Sequence, residues 1–553
     1  MRSRGPWQRS AGPAGGGFDV RSALGALDAD ALRGLFLEAL AMLEAGPRAR
    51  LEDALVRHAT RAGAGWRPDA PSAQSVEQAR AFVAAARRAH QAEPAEVDHY
   101  LREGVRASLA GDHEAARAIL GAVLPPIAKG DIDLGQDELV DEVLSADLND
   151  CVARYVAAVY LTTPGAERAD AVFDALHAAP KLAYTRDPIA TIERALGATL
   201  PELGEFLPAW VSRLERERPE PGAFWESDAE RWLREAVGRR DGVAGLERIA
   251  KATKRPEAVR AWCDAATAAG DLARALGAYE GAAALLEPSA HGRGDVLDGA
   301  AFLALALGRD DAAAKFEAAW LGAPSLRRLV RWLLVDTPSG EAIRGRAEAV
   351  RTASPGLSPH LLGALHLLRG DIGAAAPLLA KAPGLGWSRG EHPGHLLFST
   401  FVWLLGGAPE GSLRAELTAR LTRPVADIFE AGERAYEAIA TGARQNAVEL
   451  ARPSFLDALL RAEVGQRLTP DDRRAAQAAL QAAAIARVEG VVEKTRRNHY
   501  GHAALLVACC VELESKGQKT ITLAPWVEGL RQRTRRYPSF QAALQDALER
   551  ARP

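Results

Sequence analysis

Two pairs of histidines stand at spacings from which imidazoles could share a ligand, His392 with His395 and His499 with His502. Positions i and i+3 of a helix lie on one face, so two such rings could chelate a metal ion. Only Glu391 and Glu493 stand close enough in sequence to add a ligand. Solvated or hydrogen-bonded imidazoles account for both pairs, and no metal is assigned. Asp131, Asp133 and Asp137, followed by Glu142, partly match a calcium loop. The fifth position is Gly135 instead of an acid, and Gln136 stands where the tight turn needs glycine. Together with Glu138 and Asp141 the acidic run reads as a solvated helix start favoured by the macrodipole, or as a docking surface for a basic partner.

Cys509 and Cys510 lie within an apolar run, where cysteine is commonly buried and inert. Near the other end of the charge scale, Arg531, Arg533, Arg535 and Arg536 cluster beside Tyr537, with Arg496 and Arg497 upstream. Residues 487–553 hold 12 Lys/Arg against 7 Asp/Glu, so this end is basic. Such a cluster could hold phosphates, with Tyr537 as a stacking platform. The duller alternative is a basic helix terminus that stabilises its own fold.

No motif names a reaction. The chain has no G-x-S-x-G, no H-E-x-x-H, no G-x-x-x-x-G-K-[ST] phosphate loop and no dinucleotide glycine fingerprint. No catalytic residue and no cofactor is assigned. The 69 basic and 72 acidic residues nearly cancel, which gives no global argument for nucleic acid or an acidic membrane surface. Four cysteines in 553 residues are too few for a disulfide-stapled scaffold. The N-terminus is basic and Gly/Pro-rich without an apolar stretch behind its arginines, so it reads as a disordered tail and not a signal peptide. The apolar runs 396–405 and 503–511 fall well short of the ~20 residues of a membrane helix. The expectation is a soluble cytoplasmic protein without membrane contact.

The elements that carry these residues are helices almost throughout, because alanine, leucine and arginine dominate while β-branched and aromatic residues are sparse. The clearest unit runs from Pro256 to Pro288. Val259, Trp262, Cys263 and Ala266 share one helical face; Gly270 ends that helix and Asp271 caps the next. Leu272, Ala275, Leu276, Tyr279 and Ala282 form the second stripe, and Trp262 and Tyr279 belong to the core. Small alanines let the helices approach while Tyr279 fills the gap between them. The same turn and stripe recur at Gly111-Asp112, closed by Pro125-Pro126, and at Gly370-Asp371, where Pro377 should kink the second helix or limit it to its first turn. Gly308 and Gly238 mark further turns. The G-D-x-x-x-A core with an aromatic four residues on resembles a tetratricopeptide repeat, although Val259 stands at the early aromatic position. That resemblance implies an all-α solenoid of stacked helix pairs, since one such pair cannot bury its own apolar face.

Residues 355–545 show a second resemblance. GLGWSRGEHPGHLLFSTFVWLL, R-V-x-x-V-V at Arg487–Val492, R-x-x-Y-x-x-A-A at Arg497–Ala504 and the arginine-rich turn into Phe540 resemble a long helical region of uncharacterised bacterial proteins. Some of those proteins carry a SWIM-type zinc finger. Its C-x-C and C-x-H ligands are absent here, so the resemblance implies a helical partner-binding region without zinc chemistry.

The predicted organisation is a disordered tail (1–19) and an N-terminal helical domain (20–216) that includes one repeat-like unit (95–127). A charged, prolyl linker (217–223) leads to a tetratricopeptide-like region (224–390) and a C-terminal helical domain with a basic end (391–553). The functional expectation is a non-enzymatic helical-repeat scaffold for a protein partner. The alternative is a nucleic-acid-associated protein that uses Arg531, Arg533, Arg535, Arg536 and Tyr537. An enzyme built from scattered residues comes third, and no site argues for it.

Overall fold

A computed structural model describes residues 20–62, 65–135, 139–179, 182, 185–217, 226–290, 292–336, 338–353, 356–407, 410, 412–423, 425, 450–515 and 525–551. Among these the regular structure is helical, apart from isolated bridge residues such as Gln91 and Asp133, which pair in parallel. The protein is therefore all-α. The predicted tail 1–19 and most of the predicted linker (218–223) lie outside the described residues. The chain divides into two compact units, Met1–Gly242 and Val243–Pro553. The turn anticipated at Gly238 is not there. The helix Asp228–Thr253 runs through Gly238 and breaks at Gly242, whose φ of 62° and ψ of −146° suit glycine.

In the first unit, Pro94–Ala110 ends on Gly111 (φ 90°). The Asp112 side chain accepts a hydrogen bond from the Ala115 N–H and opens His113–Lys129. Ala116, Leu120 and Val123 are buried along that helix. A Cβ on Gly104 would stand 2.5 Å from Leu120 Cγ, so the two helices meet at a bare backbone. Pro125-Pro126 does not close the helix, which continues to Lys129 and ends on Gly130 (φ 74°). The prolines remove two N–H donors, yet Leu124, Pro126, Ile127 and Ala128 are all buried, and their packing outweighs the lost bonds. Further along, the Trp210 ring stacks on Phe206 and Trp232, and Phe173 meets both indoles edge-on.

In the second unit, Pro256–Ala268 and Leu272–Leu285 meet at Gly270 (φ 81°), and Asp271 caps the Arg274 N–H. Trp262 and Tyr279 are buried as expected. Tyr279, however, reaches beyond its own pair: its ring lies so close over Gly299 of Arg293–Ala306 that a Cβ there would overlap it. From there Ala312–Gly322 and Leu326–Leu334 each pack on the preceding helix. The corner recurs at Gly370 (φ 78°), where Asp371 caps the Ala374 N–H. Ile372–Ala380 passes through Pro377 to a second turn, because Pro377 still accepts from the Lys381 N–H. After this point packing joins distant segments. Ile372–Ala380 and Gly394–Gly406 both lie on Pro470–Glu493, and Tyr500–Glu514 packs on Pro538–Arg550.

Leu326–Leu334 (LRRLVRWLL) is buried along its whole length, arginines included. Arg328 and Arg331 contact the fully buried Asp298 at 2.8 and 3.1 Å. Arg327 donates to the Val425 carbonyl, and Arg331 to the carbonyls of Leu450 and Ala451. A buried cation is tolerated only with such partners.

Candidate functional site

The strongest candidate is built around the loop between Ala380 and Gly394 in the second unit. Gly384 lies backbone to backbone on Gly490, where a Cβ on Gly384 would overlap the Ala486 carbonyl. Arg487 ties the contact by donating to the Gly384 carbonyl at 3.0 Å. His392 staples the other end. Its Nδ1 accepts from the Gly394 N–H at 3.1 Å, so the ring proton is on Nε2, which donates to the Pro383 carbonyl at 2.9 Å. Both nitrogens are thereby committed, and His392 has none to offer a metal.

The loop holds Trp387 in the wall of a small cavity of about 220 Å³. Its indole meets His392, His395 and His502 at ring separations of 5.2, 5.4 and 5.4 Å. His395 and His502 lie 5.9 Å apart, on two different helices. The histidines therefore meet across the helices and not as the i, i+3 pairs of the sequence. His499 is exposed on a single 3₁₀ turn and stands apart. Arg420 donates to His395 Nδ1 at 2.8 Å, which requires that ring to be neutral. Burial, followed by the positive charge of Arg420 and the neighbouring rings, pushes His395 down to about 3. Burial and then Arg487 push His502 down to about 4. Arg487 is itself 5 % exposed and sits over the Trp387 ring at 5.8 Å.

His395 and Arg420 also line a second, larger cavity of about 1080 Å³. Arg389, Glu391, His360 and Arg328 contribute to its polar wall, while Leu357, Leu396 and Phe455 contribute to its apolar wall. Among the described residues no group of three or more His, Cys, Asp or Glu side chains is arranged to hold a metal ion.

The other predicted residues are dispersed. Asp131 pairs with Arg87 at 2.8 Å, and Asp133 accepts from the Gly135 N–H at 2.9 Å. Asp141 and Glu142 sit on the short helix Val140–Val143, and Asp141 borders a cavity of about 860 Å³ that also receives Asp53 and Arg57. Asp137 and Glu138 lie outside the described residues. Arg531 donates to Gln545 and Arg533 pairs with Glu489 at 3.5 Å, so both serve the fold. Arg535 and Arg536 are exposed, and the Arg536 guanidinium covers the Tyr537 ring at 5.1 Å. Cys509 and Cys510 are buried, and burial raises both thiols above their ordinary range.

Sequence reading named His392, His395 and His502 but missed Arg389, Arg420 and Arg487. Arginine is so frequent here that only position reveals these three. No described helix is long and apolar enough to cross a membrane. Compared with protein-family models, curated proteins and solved structures, the chain matches none.

Proposed function

We propose that the chain is a non-enzymatic helical-repeat scaffold, a tetratricopeptide-like α-solenoid of stacked helix pairs, that works in the cytoplasm and binds a protein partner on its polar faces. The observation that carries this reading is one corner used three times. Gly111, Gly270 and Gly370 each take a positive φ, and the aspartate that follows each caps the third residue of the next helix. Helix pairs joined this way leave polar outer faces available for recognition. A photo-crosslinking residue at the exposed positions Arg274 and Glu317 tests the proposal. The expected result is a crosslinked protein that, once purified, binds the full chain saturably. Crosslinked species that show no binding on reconstitution overturn it.

The second reading, nucleic-acid association, is favoured by exposed Arg535 and Arg536, which form no ion pair among the described residues. It requires salt-sensitive binding that is lost when both are replaced by glutamine.

A further inference from the structure

The 1080 Å³ cavity of the second unit is where several helices begin. Its wall includes Gly292 to Asp295 at the start of Arg293–Ala306, and Ser325 and Leu326 at the start of Leu326–Leu334. Ser358 to Leu361 open Pro359–Arg369, and His395 and Leu396 belong to the first turn of Gly394–Gly406. The first turn of each helix carries N–H groups without an intrahelical acceptor and the positive end of a macrodipole, roughly half a charge. Ser325 and Ser358 each satisfy one such N–H, those of Arg328 and Leu361.

Side-chain charge adds to this. Arg389 is exposed and forms no side-chain hydrogen bond or ion pair among the described residues. Arg420 is exposed and donates to the neutral His395, with no carboxylate in ion-pair range among the described residues. Of the two carboxylates in the wall, Asp295 is engaged by Arg328 at 3.2 Å, which leaves Glu391 as the single lining carboxylate without an ion pair among the described residues. Two guanidiniums and four helix starts thus face one unpaired acid. Leu357, Leu361, Leu396, Leu421 and Phe455 give the cavity an apolar side, and His360, Arg328 and Ser388 add further polar lining. The volume is at the upper end of the range typical of small-molecule sites, roughly 300–1,000 Å³, and far exceeds what a bare phosphate or carboxylate fills.

We propose that this cavity binds a small amphipathic organic anion, its carboxylate or phosphate oxygens held by Arg389, Arg420 and the helix N-termini and its apolar body against the leucines and Phe455. The proposal is independent of the scaffold reading, since it concerns one open cavity among helix starts and not the polar outer faces of the helix pairs. Helix starts supply preformed donors at no ordering cost, and guanidinium bonds to anionic oxygens are among the stronger polar contacts.

Calorimetric titration of the full chain with four probes tests it: 2-naphthoate, 1-naphthyl phosphate, neutral 2-naphthalenemethanol and hexaglutamate. The expected result is saturable binding of one or both naphthyl anions, with the alcohol at least about tenfold weaker. Which anion binds more tightly distinguishes a carboxylate from a phosphate ligand. Arg389→Gln and Arg420→Gln should each weaken the anion about tenfold or more. Arg420→Gln also removes the bond to His395 and so lowers the melting temperature. Arg389 has no side-chain bond among the described residues, so its variant leaves the melting temperature in place and separates a lost contact from lost folding. Binding of the alcohol as tightly as the anions overturns the proposal, as does unchanged affinity in both variants. Capture of hexaglutamate alone would overturn it in favour of an acidic peptide.

Discussion

Lowering the pH from 7.5 to 5 should weaken the second unit through two imidazoles, His395 and His502. Both titrate near 6.5 when free of the fold, and the folded values are about 3 and about 4. The sign follows from these depressed values. The folded unit keeps both rings neutral while the unfolded chain takes up two protons, so stability falls as pH drops below 6.5 and goes on falling until the folded values are reached. The groups that hold the rings neutral are Arg420 and Arg487, helped by His392 and His499, and Glu416 lines the same small cavity but pairs with Arg550. At pH 5 the unfolded rings are almost fully protonated, and each contributes a slope of about 1.4 kcal/mol per pH unit. Integrated from 7.5 to 5, the two cost about 4 kcal/mol, and about half that if cavity water screens them. Stopping at pH 5 keeps most carboxylates ionised. The assay is urea unfolding of the full chain at both pH values, with hydrogen exchange of the Gly394–Gly406 helix to assign the change to this unit. His395→Asn with His502→Asn should flatten the dependence by that amount while every other histidine remains. A double variant that loses as much stability between pH 7.5 and 5 as the parent refutes the reasoning.

Other perturbations test the packing. Gly299→Ala should destabilise by about 1–3 kcal/mol, because the new methyl overlaps the buried Tyr279 ring, and Tyr279→Leu in the same chain should recover part of the loss in thermal melts. Asp298→Asn should cost about 3–5 kcal/mol in urea unfolding, since it strips the charge partner from two buried arginines, Arg328 and Arg331. All four cysteines are free and buried, so a thiol reagent should label none of them in the native chain and all four in denaturant.

What could be seen in advance was local chemistry. A Gly-Asp corner is written in adjacent residues, so Gly111, Gly270 and Gly370 could be placed along with their stripes. The same chemistry recurs at Asp28, whose side chain accepts from the Ala31 N–H at 2.8 Å and caps Ala29–Met42. Proline was the misleading signal. Pro125, Pro126 and Pro377 each remove one donor, but whether a helix survives depends on what its next turn buries, which lies outside the window. LRRLVRWLL shows the same limit for charge. Its arginines look like a solvated face until Asp298 and the Leu450 and Ala451 carbonyls come to meet them from elsewhere in the chain.

The candidate site lies wholly on the non-local side of that divide. Read along the chain, His392/His395 and His499/His502 are two short pairs, and only the packing of Gly394–Gly406 against Tyr500–Glu514 makes His395 and His502 neighbours. The spacing of imidazoles allowed a metal in principle, and none was assigned. In the structure the Nδ1 lone pairs of His392 and His395 are taken by the Gly394 N–H and Arg420. The same reversal applies to the cavity beside them. Gly292, Ser325, Ser358 and, in the first turn of Gly394–Gly406, His395 belong to unremarkable helix starts spread over a hundred residues, and each start on its own is only a cap. Their meeting at one wall turns four weak dipole ends into a field of one sign. Arg389 and Arg420 strengthen that field, Arg420 while also donating to the neutral His395. Among the described residues neither guanidinium has a carboxylate partner, and that makes an incoming anion the missing member of the cluster.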